Sequence, residues 1–427
     1  MALFSSFLLV IALGIPIAFA FAISGMLYLV VGDSLSLDLD NVVTIAFSGL
    51  DSFVLMSIPF FIFAGDLMNQ GGIIDRLIRL SGLILGSSRS AMGGISVLTS
   101  TFFGAISGSS AASVAAIGSI MVPEMEKQGY RKPAAASLVA AAGFIGILIP
   151  PSIPLILYGL ASGTSIGALF LAGIGPGLLI MLAFMLLNAY LARKNPLPSG
   201  TGQSTVTAKE AFSIIIDALP GLFLPVLILG GIYSGMFTPT EAAAVAVFYA
   251  ILVGKFVYKS FSFSALPRIA LGSAVTSATI MIIIGFSAFF GRLMTLDQIP
   301  ASISEMLLSL TSNPFWLTLL MNGFLLFLGM FVETATIIMI ATPILLPLAV
   351  QLGIDPVHFG VIMIMNLSVG LITPPMALNL FVAARISGLE LRHLARPILP
   401  YVVTSLILLL IISYVPQLSM YLPTAFK

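Results

Sequence analysis

Gly146-Ile147-Leu148-Ile149-Pro150-Pro151 and, 224 residues later, Gly370-Leu371-Ile372-Thr373-Pro374-Pro375 each place a proline pair inside a long apolar run. Two adjacent prolines remove two backbone donors, so carbonyls of the preceding turn lose their partners, which is tolerated at membrane depth only against protein or water. Both runs read as helices broken inside a membrane. A plain kink accounts for many single prolines, but less well for doubled prolines at matching places. The flanking order repeats too: Pro123 and Pro343 close apolar stretches, and Pro133 and Pro356 open the next helix, at offsets of 220 and 223. Two halves on one plan are a transporter signature.

Of 427 residues, 59% are hydrophobic and 8% are charged, against roughly a quarter charged in a soluble domain. So few charges cannot cover a water-facing surface. Several apolar runs exceed the ~20 residues needed to cross the hydrocarbon core as a helix, and the fold class is an all-α polytopic membrane protein. The first run, 4–31, is too long for a signal-peptide core and lacks a basic leader, so it reads as a retained helix. A net charge of +1 without a long basic run leaves no electrostatic footprint for nucleic acid. With no cysteine, and with His358 and His393 as its two histidines, the chain has no thiol chemistry and little for a metal centre. It carries no H-E-x-x-H or P-loop motif, and so no signature of zinc proteolysis or ATP hydrolysis.

Nine segments read as single crossings: 4–31, 42–65, 134–160, 165–192, 211–234, 240–258, 269–296, 357–384 and 397–424. Two more, 91–125 and 315–350, carry Gly and Ser or a Glu at their centres, and read as re-entrant hairpins of two half-helices. An amphipathic arm precedes each, 72–85 and 301–310, as expected of helices lying in the interface. The loop after the first hairpin holds Lys127, Arg131 and Lys132, whereas its counterpart, 351–356, has Asp355 and no basic residue. The broken helices show the opposite bias: 161–165 is free of positive charge, while Arg385, Arg392 and Arg396 follow the second. Positive charge marks the cytoplasmic side, so the repeats are inverted. This orientation puts Arg193, Lys194, Lys209, Lys255, Lys259 and Arg268 inside, Asp33, Asp38 and Asp40 outside, the N-terminus in and the C-terminus out.

The first hairpin centre, Ser107-Gly108-Ser109-Ser110-Ala111-Ala112-Ser113, combines small hydroxyls with a glycine. Small residues also serve close packing, but four hydroxyls in a run exceed what packing requires. Hydroxyls and carbonyls suit a hard cation, and the N–H end of the following half-helix suits an anion. One Na⁺ is expected between Ser107, Gly108 and Ser110 and the carbonyls of Gly146, Ile149 and Pro150. A second is expected between Gly329 and Thr334 and the Gly370, Thr373 and Pro374 segment. An organic anion would meet Ser109, Ser110, Ser113, Ser152 and Thr334. Glu333, at the second hairpin centre, reads equally as a half-helix cap or as a partner for substrate hydroxyls or amines. Asp66, Asp217, Glu241, Arg292 and Asp297 lie near span ends, where snorkelling or capping is expected.

The string from Gly108 to Pro123, with Gly129-Tyr130 and Ile149-Pro-Pro-Ser-Ile-Pro154, resembles the large membrane subunit of tripartite ATP-independent periplasmic (TRAP) transporters. Gly370 to Pro375, with Asn379-Leu380-Phe381, resembles the second half of the same family. The resemblance implies an elevator-type ion-transporter fold, in which two hairpins and two broken helices slide against a scaffold. On that reading residues 1–88, 164–312 and 389–427 are scaffold, and 89–163 and 313–388 form the transport domain. It further implies uptake across the bacterial inner membrane coupled to Na⁺, with a small four-helix membrane subunit and a periplasmic substrate-binding protein as partners. The substrate would be an organic anion with a carboxylate, sialic acid before a C4-dicarboxylate. A membrane channel or non-transporting scaffold is the alternative, though neither requires matched helix breaks.

Overall fold

A computed structural model describes residues 2–31, 39–86, 90–194, 207–311 and 313–426. The regular structure of these residues is helical throughout. Among the described residues eight helices are long and apolar enough to cross a membrane, and the chain is a multi-pass membrane protein.

The first half runs α1 (Ala2–Ala12), α2 (Ile17–Val31), α3 (Leu39–Ser48), α4 (Ser57–Gln70) and the arm α5 (Ile73–Leu85). A helix pair follows, α6 (Ala91–Ser107) and α7 (Ser110–Lys127), and then a broken helix of α8 (Lys132–Gly143) and α9 (Ile153–Ser162), closed by the long α10 (Ile166–Lys194). The second half begins with α11 (Ala208–Tyr233), α12 (Pro239–Leu252) and α13 (Leu266–Leu296), and continues with the arm α14 (Ile299–Leu310). Its pair is α15 (Pro314–Phe331) and α16 (Thr334–Gln351), its broken helix α17 (Pro356–Gly370) and α18 (Leu378–Ser387), and α19 (Leu391–Tyr414) and α20 (Gln417–Ala425) end the chain. Starts of corresponding helices, such as 110 and 334 or 132 and 356, differ by 224.

Local chemistry sets these boundaries. Thr207 with Glu210, and Thr238 with Glu241, form capping boxes that start α11 and α12. Asn313 and Asp355 cap α15 and α17, each followed by a proline whose missing N–H costs nothing in the first turn. Pro123 and Pro343 do not close their helices. Each sits inside one, α7 and α16, which lose one backbone bond there and continue. The stretch 4–31 is not one crossing but two helices folded back on each other: Phe7 stacks on Phe21 with ring centroids 4.9 Å apart. Gly14 (φ 80°) and Pro16 lie in the turn that separates them. Asp33 and Asp38 fall outside the described residues, as does the side chain of Asp40.

The packing sorts helices into two groups. In the first, α4 lies along α12 and α13, α2 and α3 lie along α13, and α11 joins α12. In the second, the two repeats exchange partners: α7 packs on α18, and α16 packs on α9. Such a swap is what a two-fold relation between repeats generates. The helices α10 and α19 pack against α6, α8 and α17 in this second group, so neither 163/164 nor 388/389 is a packing boundary. Both arms bridge the groups, α5 touching α6 and α11, and α14 touching α16 and α13, and the groups also meet where α13 packs on α16 and α4 on α6. Arg76 in α5 lies 3.7 Å above the Tyr258 ring and donates to the Gly72 carbonyl at 2.7 Å.

Candidate functional site

The first pair turns within two residues. α6 ends at Gly108, whose left-handed backbone (φ 60°) reverses the chain before Ser109 caps α7. The turn lies on the first break, because a Cβ at Gly108 would meet the Pro151 carbonyl at 2.7 Å. Deeper in, backbone meets backbone: a Cβ on Gly104 would lie 2.1 Å from the Gly146 Cα. The second repeat makes the matching contact, and a Cβ on Gly370 would lie 2.4 Å from the Gly329 carbonyl carbon. These four glycines seat each pair on its own broken helix.

Ser107, Ser110 and Ser113 are buried. Ser113 Oγ donates to the Ser109 carbonyl at 2.9 Å and lies 3.5 Å from Ser107 Oγ. Ser110 is held from the other repeat: Asn379 Nδ2 donates to its Oγ at 2.7 Å and to the Ala140 carbonyl at 3.0 Å. At the break, Pro150 and Pro151 cannot supply the donors that Gly146 and Ile147 would find in a continuous helix. Ser152 Oγ donates to the Ile147 carbonyl instead, while the Gly146 carbonyl, like those of Leu148 to Pro151, receives no backbone donor from the loop. Both prolyl bonds, Pro150–Pro151 and Pro374–Pro375, are cis.

The second turn differs. Phe331-Val332-Glu333 contains no glycine, and the Glu333 carboxylate accepts from the N–H groups of Ala335 at 3.0 Å and Thr336 at 3.3 Å. Glu333 thus caps α16 while remaining accessible. Ser109 and Ser152 cap α7 and α9. Ser109 and Ser152, expected to face an anion, and Glu333, expected either to cap or to meet substrate hydroxyls, therefore already occupy half-helix N–H groups, leaving fewer of these groups free than the sequence suggested. At the second break Thr373 N donates to the Gly370 carbonyl at 3.1 Å and Thr373 Oγ1 to the Val369 carbonyl at 2.6 Å. Thr334 is buried, and Thr336 Oγ1 is buried without a partner.

The structure brings Ser107 to Ser113 against the Gly146 to Pro151 segment, and Gly329 against Gly370. It adds residues to which sequence reasoning gave no role. Gly104 could have been found from its recurrence as Gly329, 225 residues later. Asn379 stood within a recognised string. Asn366, buried one turn before Gly370, donates to Asn322 at 2.8 Å, and Asn322 donates to Ser413 Oγ at 3.0 Å. His358 continues this polar thread to Ser419 at 2.6 Å. Among the span-end acids, Glu241 caps, while Asp66 and Asp297 accept hydroxyls from Ser273 and Tyr28, each at 2.5 Å.

A family model described as the tripartite ATP-independent periplasmic transporter, DctM component, matches residues 4–418. The C4-dicarboxylate TRAP transporter large permease protein DctM of Pseudomonas aeruginosa is 42% identical over 88% of this chain and 88% of its own length. The sialic acid TRAP transporter large permease protein SiaM of Vibrio cholerae is 35% identical over 97% of this chain and 96% of its own. The isethionate TRAP transporter permease protein DctMQ of Oleidesulfovibrio alaskensis is 41% identical over 98% of this chain, which spans 65% of that relative's length. Among solved structures, the YdaH transporter of Alcanivorax borkumensis aligns with a TM-score of 0.64 at 17% identity, covering 91% of this chain and 90% of that one. That likeness concerns the fold alone.

Proposed function

This chain belongs to the DctM component family of tripartite ATP-independent periplasmic transporters, and from that premise we propose that it is the Na⁺-coupled permease for an organic anion entering across the bacterial inner membrane. It is a transporter component and not an enzyme, as its named relatives are. A periplasmic binding protein delivers the solute and a small four-helix membrane subunit completes the complex. The repeats are inverted and both helix pairs re-enter the membrane, a reading supported by the opposite charge bias of the loops at 127–132 and 351–356. The packing supports a division into a moving body, 90–194 with 313–426, and a scaffold, 2–86 with 207–311. Transport is an elevator movement of the first body along the second.

Na⁺ travels with the solute as cargo. The donor set at the first turn is made of neutral oxygens: the Gly146 carbonyl, freed by Pro150, and the hydroxyls of Ser107 and Ser110. A hard cation prefers such ligands. At the second turn Thr373 Oγ1 gives its proton to Val369 and keeps lone pairs for a cation, beside Gly329, Thr334, Gly370 and Pro374.

Sequence identity does not rank the solutes, since relatives named for C4-dicarboxylate, sialic acid and isethionate are 42%, 35% and 41% identical. The accessible Glu333 carries the choice. Its carboxylate repels a second carboxylate and accepts from hydroxyls, so we favour a polyhydroxylated acid of the sialic acid class over a bare C4-dicarboxylate. Uptake into proteoliposomes with both partners tests this: Glu333→Gln should selectively weaken sialic acid uptake, and selective loss of the dicarboxylate would reverse the assignment. Ser110→Ala and Thr373→Ala should each weaken the Na⁺ dependence in part; unchanged dependence in both would remove the cation sites. Strong Na⁺-driven accumulation by this chain alone would remove the partners.

A further inference from the structure

We propose that the end of the second helix group lined by Arg131, His393 and Arg396 is a binding site for an anionic phospholipid. A cavity of about 670 Å³ opens there, between the loop leading into α8, the last turns of α10 and the first turns of α19. It lies apart from both helix turns and both breaks, none of whose residues line it.

Two observations identify the occupant. The first concerns charge. The neighbouring cations are neutralised: Lys127 pairs with Glu124 at 3.1 Å, Lys132 with Glu126 at 3.7 Å and Arg392 with Glu390 at 2.6 Å. These three pairs take up the carboxylates nearest in the chain. Arg131, His393 and Arg396 line the cavity, are exposed, and have no ion pair among the described residues. Arginine presents a planar fork suited to phosphate oxygens.

The second concerns the walls. Leu138, Leu191, Pro397 and Pro400 make them largely apolar. Two polar groups deeper in the cavity are already engaged, with Asn188 Nδ2 donating to the Ser90 carbonyl at 2.9 Å and Tyr130 Oη accepting from Gly93 N at 3.2 Å. A soluble phosphate would use the charged mouth and leave the apolar depth unfilled. A phospholipid fills both, its phosphate at the guanidinium groups and its glycerol and first acyl carbons along the wall. The helix ends that form the mouth carry the positive charges of the cytoplasmic side, Arg193 and Lys194 included. Basic pockets between helices on this side suit anionic head groups. The inference rests on that orientation and not on the identity of the transported solute.

The full chain is reconstituted in nanodiscs of phosphatidylethanolamine with phosphatidylglycerol or with phosphatidylcholine, and retained lipid is read by native mass spectrometry. Phosphatidylglycerol should be retained preferentially. The double substitution Arg131→Gln with Arg396→Gln should lower retention by about thirtyfold, taking about fivefold per arginine at a membrane surface, while Lys127→Gln, whose lysine is paired, leaves it unchanged. Equal retention by the double variant overturns the site, and so does an equal loss in Lys127→Gln, which would mean diffuse attraction. A photoreactive phosphatidylglycerol on the unaltered chain keeps the test independent of variant folding. Cross-links should fall within 129–138 and 393–401, and cross-links confined elsewhere refute the proposal. Finally, if millimolar inorganic phosphate raises the thermal midpoint and phosphatidylglycerol does not, the site takes a soluble anion and the lipid assignment fails.

Discussion

The first helix pair turns inside the protein, at buried Ser107, Gly108 and Ser110, whereas the second turns at Phe331 and Glu333, both accessible. Their breaks differ in the same way: Pro150, Pro151 and Ser152 are enclosed, while Pro375 is exposed and Met376 is 55% exposed. One helical plan thus produces a closed site and an open one. The cause lies in side-chain size and in one unshared residue. Gly108 admits the Pro151 carbonyl, Gly65 of α4 lets Ser107 come close, and Asn379 reaches across from the other repeat to clasp Ser110. The second turn has bulky or charged residues in these places, and the position matching Asn379 at an offset of 224 is Leu155, which cannot clasp anything. The difference teaches that the repeats share backbone contacts but not polar ones.

The common part of the comparison should break most severely. Gly146→Ala and Gly370→Ala each push a Cβ into backbone, at 2.5 Å from the Gly104 Cα and 2.4 Å from the Gly329 carbonyl carbon. Both should lose most folded, transport-competent protein, at a cost of roughly 3 kcal/mol or more. Gly323→Ala, facing open space, should behave like the parent in size-exclusion yield and uptake. Tolerance of one of the two would end the claim of a shared contact.

The unshared part comes next. Asn379→Leu leaves Ser110 and the Ala140 carbonyl without their buried donor, worth about 2 kcal/mol, so the thermal midpoint should fall and Na⁺ dependence weaken. Glu333→Ala costs the fold one cap, about 1 kcal/mol, and should lower the midpoint by less. A larger effect at Glu333 would invert the ranking of the two turns.

Accessibility carries the smallest energetic effect, and the chain has no cysteine to give background. A thiol reagent should modify Met376→Cys readily and Leu148→Cys, at a fully buried position, very slowly. Equal rates would erase the contrast between open and closed breaks. Gln128→Cys and Gly353→Cys should label from opposite membrane faces; labelling from the same face would make the repeats parallel.

Much of the architecture was legible because proline and charge act locally. Doubled prolines mark the breaks wherever the chain folds, and the offset near 224 recurs in the helix starts. Other features were hidden for physical reasons. Apolar composition alone could not divide 4–31, since two short helices packed on each other are as apolar as one crossing helix, and only the Phe7 stack on Phe21 reveals the fold-back. The capping roles of Ser109 and Ser152 were not read from the sequence, because polar residues inside apolar runs first suggest ligands, although a helix start in the membrane also needs a cap.

By itself the sequence determined the class of the protein, the two breaks, the repeat and the hydroxyl-rich first turn, because each follows from the backbone chemistry or transfer cost of adjacent residues. Only the tertiary structure decided that Gly104 meets Gly146, that Asn379 holds Ser110 from 269 positions away, and that α10 and α19 pack with the broken helices. Those contacts depend on which surfaces meet across hundreds of residues. Glycine and asparagine carry no mark in a sequence that says which backbone or hydroxyl will approach them.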